Sequence, residues 1–143
     1  MRIYSYFIPG IPVTKKNSQQ MAFNPKTKRW FPVPSKAYKR FEKNAEEAFA
    51  KRDVPTSPID CPVIVVCTYI FPKNKDGTIP KKRPDLSNLL EATDDILVKY
   101  KILEDDNVSI VVSHDGSRAC YTDSFDPGTH IFIVSYNKRR SAK

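Results

Sequence analysis

Apolar positions recur along this chain with two different periods, and the switches between them mark out the elements. Ile3 to Ile8 is an aromatic and β-branched run that reads as a first strand, ended by Pro9-Gly10-Ile11-Pro12. Thr14 to Gln20 is polar and without periodicity, as a loop or ordered arm would be. Met21-Ala22-Phe23 and Arg29-Trp30-Phe31 flank Asn24-Pro25-Lys26-Thr27-Lys28, which predicts a hairpin with a basic tip. Ser35 is placed to cap a helix running to about Arg52, with Tyr38, Phe41, Ala45, Ala48 and Phe49 on one stripe. Pro55 and Pro58 close that segment, and Pro62 to Phe71 is the best candidate for a central strand.

After a basic loop from Lys73 to Lys82, a second helix is predicted over 86–100. At 100° per residue, its inner face is Leu86, Leu89, Leu90, Thr93, Ile96, Leu97 and Tyr100. Ser87, Glu91, Asp94 and Asp95 fall on the opposite face. Asn107 to Ser113 and His130 to Tyr136 read as two further strands, joined by a loop through Asp126-Pro127-Gly128. This order predicts an α+β fold, two helices packed on a mixed sheet, in one domain over 1–137. The basic tail 138–143 is expected to fray.

Composition narrows the class. At 143 residues, with 40% hydrophobic residues, the chain is long enough to bury its own core. No apolar run is long enough to span a bilayer and the first residues lack a signal-peptide pattern, so a soluble, cytosolic protein is expected. Cys61, Cys67 and Cys120 form no C-x-x-C pair, which argues against a disulfide framework or a zinc site; Cys61 and Cys67 read as buried hydrophobes on one face of a strand. His114 and His130 have no paired nucleophile and read as structural.

The charge distribution carries the chemistry. Residues 1–83 hold 17 Lys/Arg against 6 Asp/Glu, whereas residues 84–137 hold 3 against 10. A cationic surface attracts phosphates, and a cluster of carboxylates within it suits a divalent metal acting on one of them. Lys15, Lys16, Lys26, Lys28, Arg29, Lys81, Lys82 and Arg83 lie in predicted loops, where they are candidates for DNA phosphate contacts. Trp30 and Phe31 read first as hairpin core; exposed, they would be able to stack on an unpaired base.

The acids have structural explanations of their own: Asp85 as a helix N-cap, Asp105-Asp106 as a polar turn, and Glu91, Asp94 and Asp95 as a solvated helix face. An acid-x-Lys triplet of the restriction-nuclease kind is absent between Leu86 and Val112. The run Arg83-Pro84-Asp85-Leu86-Ser87-Asn88-Leu89-Leu90, with Asp95-Ile96-Leu97 and Asp105-Asp106, resembles the signature of RusA-type Holliday junction resolvases. Ile11-Pro12-Val13-Thr14-Lys15-Lys16-Asn17-Ser18 is similar to that family's opening. The resemblance implies a homodimeric, Mg2+-dependent endonuclease (Mn2+ being an alternative ion) that nicks two strands of four-way junction DNA symmetrically, in recombination or DNA repair, in a bacterial or phage-infected cell.

It further implies Asp85 and Asp106 as metal-binding catalytic residues. Asp105 also matches the pattern as a metal ligand, Asp95 as ligand or support, and Arg83 and Asn88 as groups that orient the acids. The chain departs from the family pattern twice. Ser87 stands where a second aspartate is common, and Glu91 where a lysine is common. Because Ser87 and Glu91 are i and i+4 neighbours, Glu91 is a candidate to replace the lost acid as metal ligand and catalytic residue. Lys81, Lys82 or Lys99 is a candidate for the missing cation. The alternative is a junction-binding protein without catalysis on the same scaffold.

Overall fold

The computed structural model describes residues 1–15, 19–123 and 126–135. The elements in chain order are β1 (Arg2–Pro9), β2 (Gln19–Asn24), β3 (Arg29–Pro34), α1 (Lys36–Ala50), β4 (Val63–Pro72), α2 (Leu86–Lys99), β5 (Val111–Ser113), β6 (Arg118–Thr122) and β7 (Gly128–Ser135). Lys16 and the tail 138–143 lie outside the described residues.

The main sheet runs β1-β7-β4-β5, with β6 also pairing β4. β7 is antiparallel to both β1 and β4, whereas β5 and β6 lie parallel to β4, so the sheet is mixed as the element order predicts. β4 is its spine. Strict alternation buries Val63, Val65, Cys67, Tyr69 and Phe71 on one face. The registers place Cys67 opposite Ile131 and Ile131 opposite Tyr6, so these side chains share that face. Both helices cover it. The Phe49 ring of α1 meets Tyr6 edge-on at 4.9 Å, and the Tyr69 hydroxyl lies 2.7 Å from Thr93 Oγ1 of α2.

The α1 stripe forms as its spacing predicts: the five apolar positions from Tyr38 to Phe49 are the buried ones, and Ser35 Oγ accepts from the Tyr38 amide at 3.1 Å. Three expectations need correction. Leu86, predicted inward, is exposed, because the first helical residue projects beyond the end of the core. Asp94, predicted outward, is buried. It lies one turn from both Leu90 and Leu97, at the border of the apolar stripe, where His114, just after β5, bonds to it. The strand expected from Asn107 is only Val111–Ser113. Asn107 Oδ1 accepts from the Ser109 amide and its carbonyl from the Ile110 amide, holding 107–110 in a turn.

Two elements fall differently from their predicted bounds. β6 occupies what the sequence reads as loop. Its side chains alternate with no apolar pattern because it is an edge strand, paired on the outer side of β4 after a turn at Asp115-Gly116. Gly128 starts β7 rather than ending a loop, since a Cβ there would collide with the Phe7 ring. Cys61 precedes β4 and is half-buried, 3.5 Å from Ser135 Oγ, while Cys67 alone lies in the core strand.

Candidate active site

Asp85 stands at the N-cap of α2 with extended backbone (φ −79°, ψ 142°), as is usual for an N-cap residue. Its carboxylate makes no capping bond and is exposed, so the capping explanation accounts for its backbone and not for its side chain. From this end the helix presents Ser87, Glu91 and Asp95, all exposed, on successive turns of one column. Each step along that column is about 6 Å.

The far end of α2 is what brings a second acidic segment alongside. Lys101 adopts a left-handed conformation (φ 61°) just past the helix, and the Ile102 and Leu103 amides both turn back to the Leu97 carbonyl. Ile102 and Leu103 are buried. The Glu104 amide then donates to the Ile59 carbonyl at 2.9 Å, fixing the chain before the acids. Asp105 is used by the turn itself: its oxygens accept from the Asp106 amide at 2.7 Å and from Asn107 Nδ2 at 2.9 Å.

Asp106 lines one cleft with Asp95 and is near enough for its charge to act on it. Burial pushes the Asp95 carboxyl up from its ordinary range, the negative charge of Asp106 pushes it further, and Lys15 opposes the rise. Asp106 is raised for like reasons, burial first and then the charge of Asp94. Lys15, Tyr38, Asp95, Asp105 and Asp106 line one cleft of about 490 Å³. Of the lysines considered as the missing cation, Lys99 is tied to Glu42 at 2.9 Å. Lys99 and Lys15 both line the cleft, and it is Lys15, which the sequence marks only as a DNA contact, whose charge acts on Asp95. Its nearness to α2 depends on a fold that brings residue 15 against residue 95, and no local pattern signals it.

Behind this cleft Asp94 and His114 form a half-buried pair. His114 Nε2 lies 2.8 Å from Asp94 Oδ2, and Nδ1 lies 2.9 Å from the Val65 carbonyl. Both partners offer oxygen atoms, an arrangement that favours the charged imidazole, whose two ring nitrogens both donate. Its pKa is raised accordingly, chiefly by the bond to Asp94. Asp94 Oδ1 is buried with no hydrogen-bond partner among the described residues. The sequence does not reveal this pair, whose members lie twenty positions apart.

The cations expected at DNA fall in three places. Lys81, Lys82 and Arg83 are exposed on the loop leading into α2, where Arg83 Nε donates to the Pro80 carbonyl at 2.8 Å. Lys26, Lys28 and Arg29 are exposed on the β2–β3 turn, and Lys15 is at the acidic cleft. Trp30 and Phe31 are not core: they are 65% and 42% exposed.

Among the described residues no group of three or more His, Cys, Asp or Glu is arranged to hold a metal. Magnesium asks for less, one or two carboxylates with water and substrate phosphate completing the shell. Asp95 and Asp106 fit that demand: they are hard oxygen donors from two chain segments, and the charge of Asp106 raises the cost of charging Asp95. A cation between such groups would relieve that repulsion.

The fold thus carries an acidic cleft bordered by exposed cations. A family model described as endodeoxyribonuclease RusA matches residues 9–133, and the chain belongs to that family, one of Holliday junction resolvase nucleases acting in DNA recombination. Resolvases of this type are generally dependent on a divalent metal. Among curated proteins none matches the chain. Among the described residues no helix is long and apolar enough to cross a membrane.

Proposed function

We propose that this chain is a magnesium-dependent endonuclease, active with Mn2+ as well, that resolves four-way DNA junctions by paired symmetric nicks as a homodimer. The observation that supports it is the cleft lined by Asp95 and Asp106 with Lys15 alongside. Asp95 and Asp106 would hold the metal, with Glu91 one turn before Asp95 on the same column of α2 and Asp85 at the N-cap as further carboxylates for it. When bound, the metal supplies an activated water and neutralises charge on the scissile phosphate. Lys15 adds a fixed positive charge at that phosphate, the task for which Lys81, Lys82 and Lys99 are less well placed. Asp105 holds the turn that aims Asp106, and Asp94 with His114 fixes the helix behind Asp95. Lys81, Lys82 and Arg83 bind the backbone leading to the cut. Two nicks at symmetric positions need two such clefts, hence two copies of the chain.

A second reading is favoured by Ser87, a hydroxyl where the family commonly carries an acid: a junction-binding protein without catalysis. Cleavage of a labelled four-way junction separates them. The expected result is paired nicks in Mg2+ or Mn2+, none in EDTA, and little cutting of linear duplex. Asp106→Asn and Asp85→Asn should each lower the rate by about 100-fold or more while junction binding persists. Glu91→Gln should lower it as well, and a full rate would remove Glu91 from the site. Binding without nicking in either metal would establish the second reading.

A further inference from the structure

The hairpin β2–β3 forms a sheet of its own, pairing with no strand of the main sheet among the described residues. Phe23 lies directly opposite Trp30, and Met21 opposite Pro32, so the four side chains occupy one face. Met21 is 58% exposed, Phe23 45% and Trp30 65%. The Phe23 and Trp30 rings are 5.2 Å apart at 57°, so each steadies the other while their outer faces stay open. The tip is equally well defined. Asn24 Oδ1 accepts from the Lys26 amide at 2.9 Å and the Asn24 carbonyl from the Lys28 amide at 2.7 Å, with Lys28 left-handed at φ 57°. Ordered aromatic surface of this extent on a fixed β-scaffold marks an interaction site.

Charge identifies the occupant. Residues 19–34 carry Lys26, Lys28 and Arg29 and no carboxylate. Cations flanking an open aromatic face are what an unpaired base and its neighbouring phosphates require: the ring stacks on the base and the cations meet the backbone. We propose that the hairpin is a stacking arm for branched or single-stranded DNA, in which Trp30, backed by Phe23, takes the face of an unpaired base while Lys28 and Arg29 hold the phosphates beside it. This rests on the reading of the chain as a junction-DNA protein and adds to it the means of recognising unpaired bases.

Trp30 is the single tryptophan of the chain, so its emission reports on this arm alone. The measurement is made on the unmutated protein in EDTA, where no cutting occurs, with binding followed in parallel by anisotropy of labelled DNA. The expected result is quenching by a thymidine oligonucleotide and by a four-way junction. A linear duplex, bound to a comparable extent at low salt, should leave the emission nearly unchanged. Trp30→Ala should weaken junction and single-strand binding by roughly tenfold and leave duplex binding alone, while Trp30→Phe keeps most of the affinity. Unchanged emission with the junction bound overturns the proposal. So does emission that instead follows protein concentration, with Trp30→Ala reducing the sedimenting mass, for then a second copy covers this face. The outcome is independent of catalysis. Quenching without nicking would leave the arm and remove the nuclease reading, and nicking with a silent tryptophan would do the reverse.

Discussion

His114 ties α2 to β4 at the residue scale. Its ring is placed between the Val65 carbonyl and the Asp94 carboxylate, so it serves best when doubly protonated. A pKa raised above the ordinary 6.5 means that the folded chain binds this proton more tightly than the unfolded chain. Its contribution to stability is complete below pH 6.5 and fades as pH rises through the higher folded value. The urea midpoint should therefore fall between pH 6 and pH 8.5 more steeply in the parent protein than in His114→Gln. That variant also leaves Asp94 short of its partner and should cost about 2 kcal/mol at pH 6. Equal slopes for the two proteins would show that the pair does not carry the pH dependence. Nothing near Asp94 in sequence announces this contact, since its partner lies twenty positions on in another element. Helical spacing alone puts the residue on the solvent side.

At the scale of elements, the acids depend on the turn that ends α2. Ile102 and Leu103 are buried side chains in an irregular segment, and they anchor Asp105-Asp106 beside the helix. Ile102→Ala should destabilise the fold by about 2–5 kcal/mol. In any folded fraction it should lower cleavage more than junction binding, because Asp106 loses its aim while the phosphate-binding loops keep theirs. Equal losses in both would mean that the turn matters for stability alone. Long regular elements were legible in the sequence for a physical reason. α1 and β4 each bury one continuous face, and a single period describes that. The turn after α2 and the strand β6 were not legible, because they are defined by partners. Ile59 pairs with the stretch after α2, and β4 accepts Arg118–Thr122 along its outer edge. The same holds for Trp30, whose exposure depends on the hairpin standing apart from the sheet.

For the molecule as a whole, charge separation governs how DNA is met. The formal charge is +8, with Asp95, Asp105 and Asp106 at one cleft and exposed cations at the hairpin tip and the loop into α2. Junction affinity in EDTA should fall steeply and linearly with salt on logarithmic axes, since each neutralised phosphate contributes a slope of about 0.9. Replacing Lys81, Lys82 and Arg83 together by alanine should reduce that slope by roughly two to three. An unchanged slope, measured by anisotropy across salt concentrations, would remove this loop from the phosphate contacts. The charge map was readable from the first pass along the chain, whereas which lysine stands at the acids required the fold.

The pairing of β1 with β7 has a consequence during synthesis. Residues 2–9 find their partners only in 128–135, and β4 takes its antiparallel neighbour from that same late strand. At ribosomal rates the first strand waits on the order of ten seconds for β7 to be made. Through that interval β1 and the apolar β4 both have open edges, able to pair with other nascent chains. The yield of folded protein should then be set less by its final stability than by how well those two strands are shielded until the last one emerges.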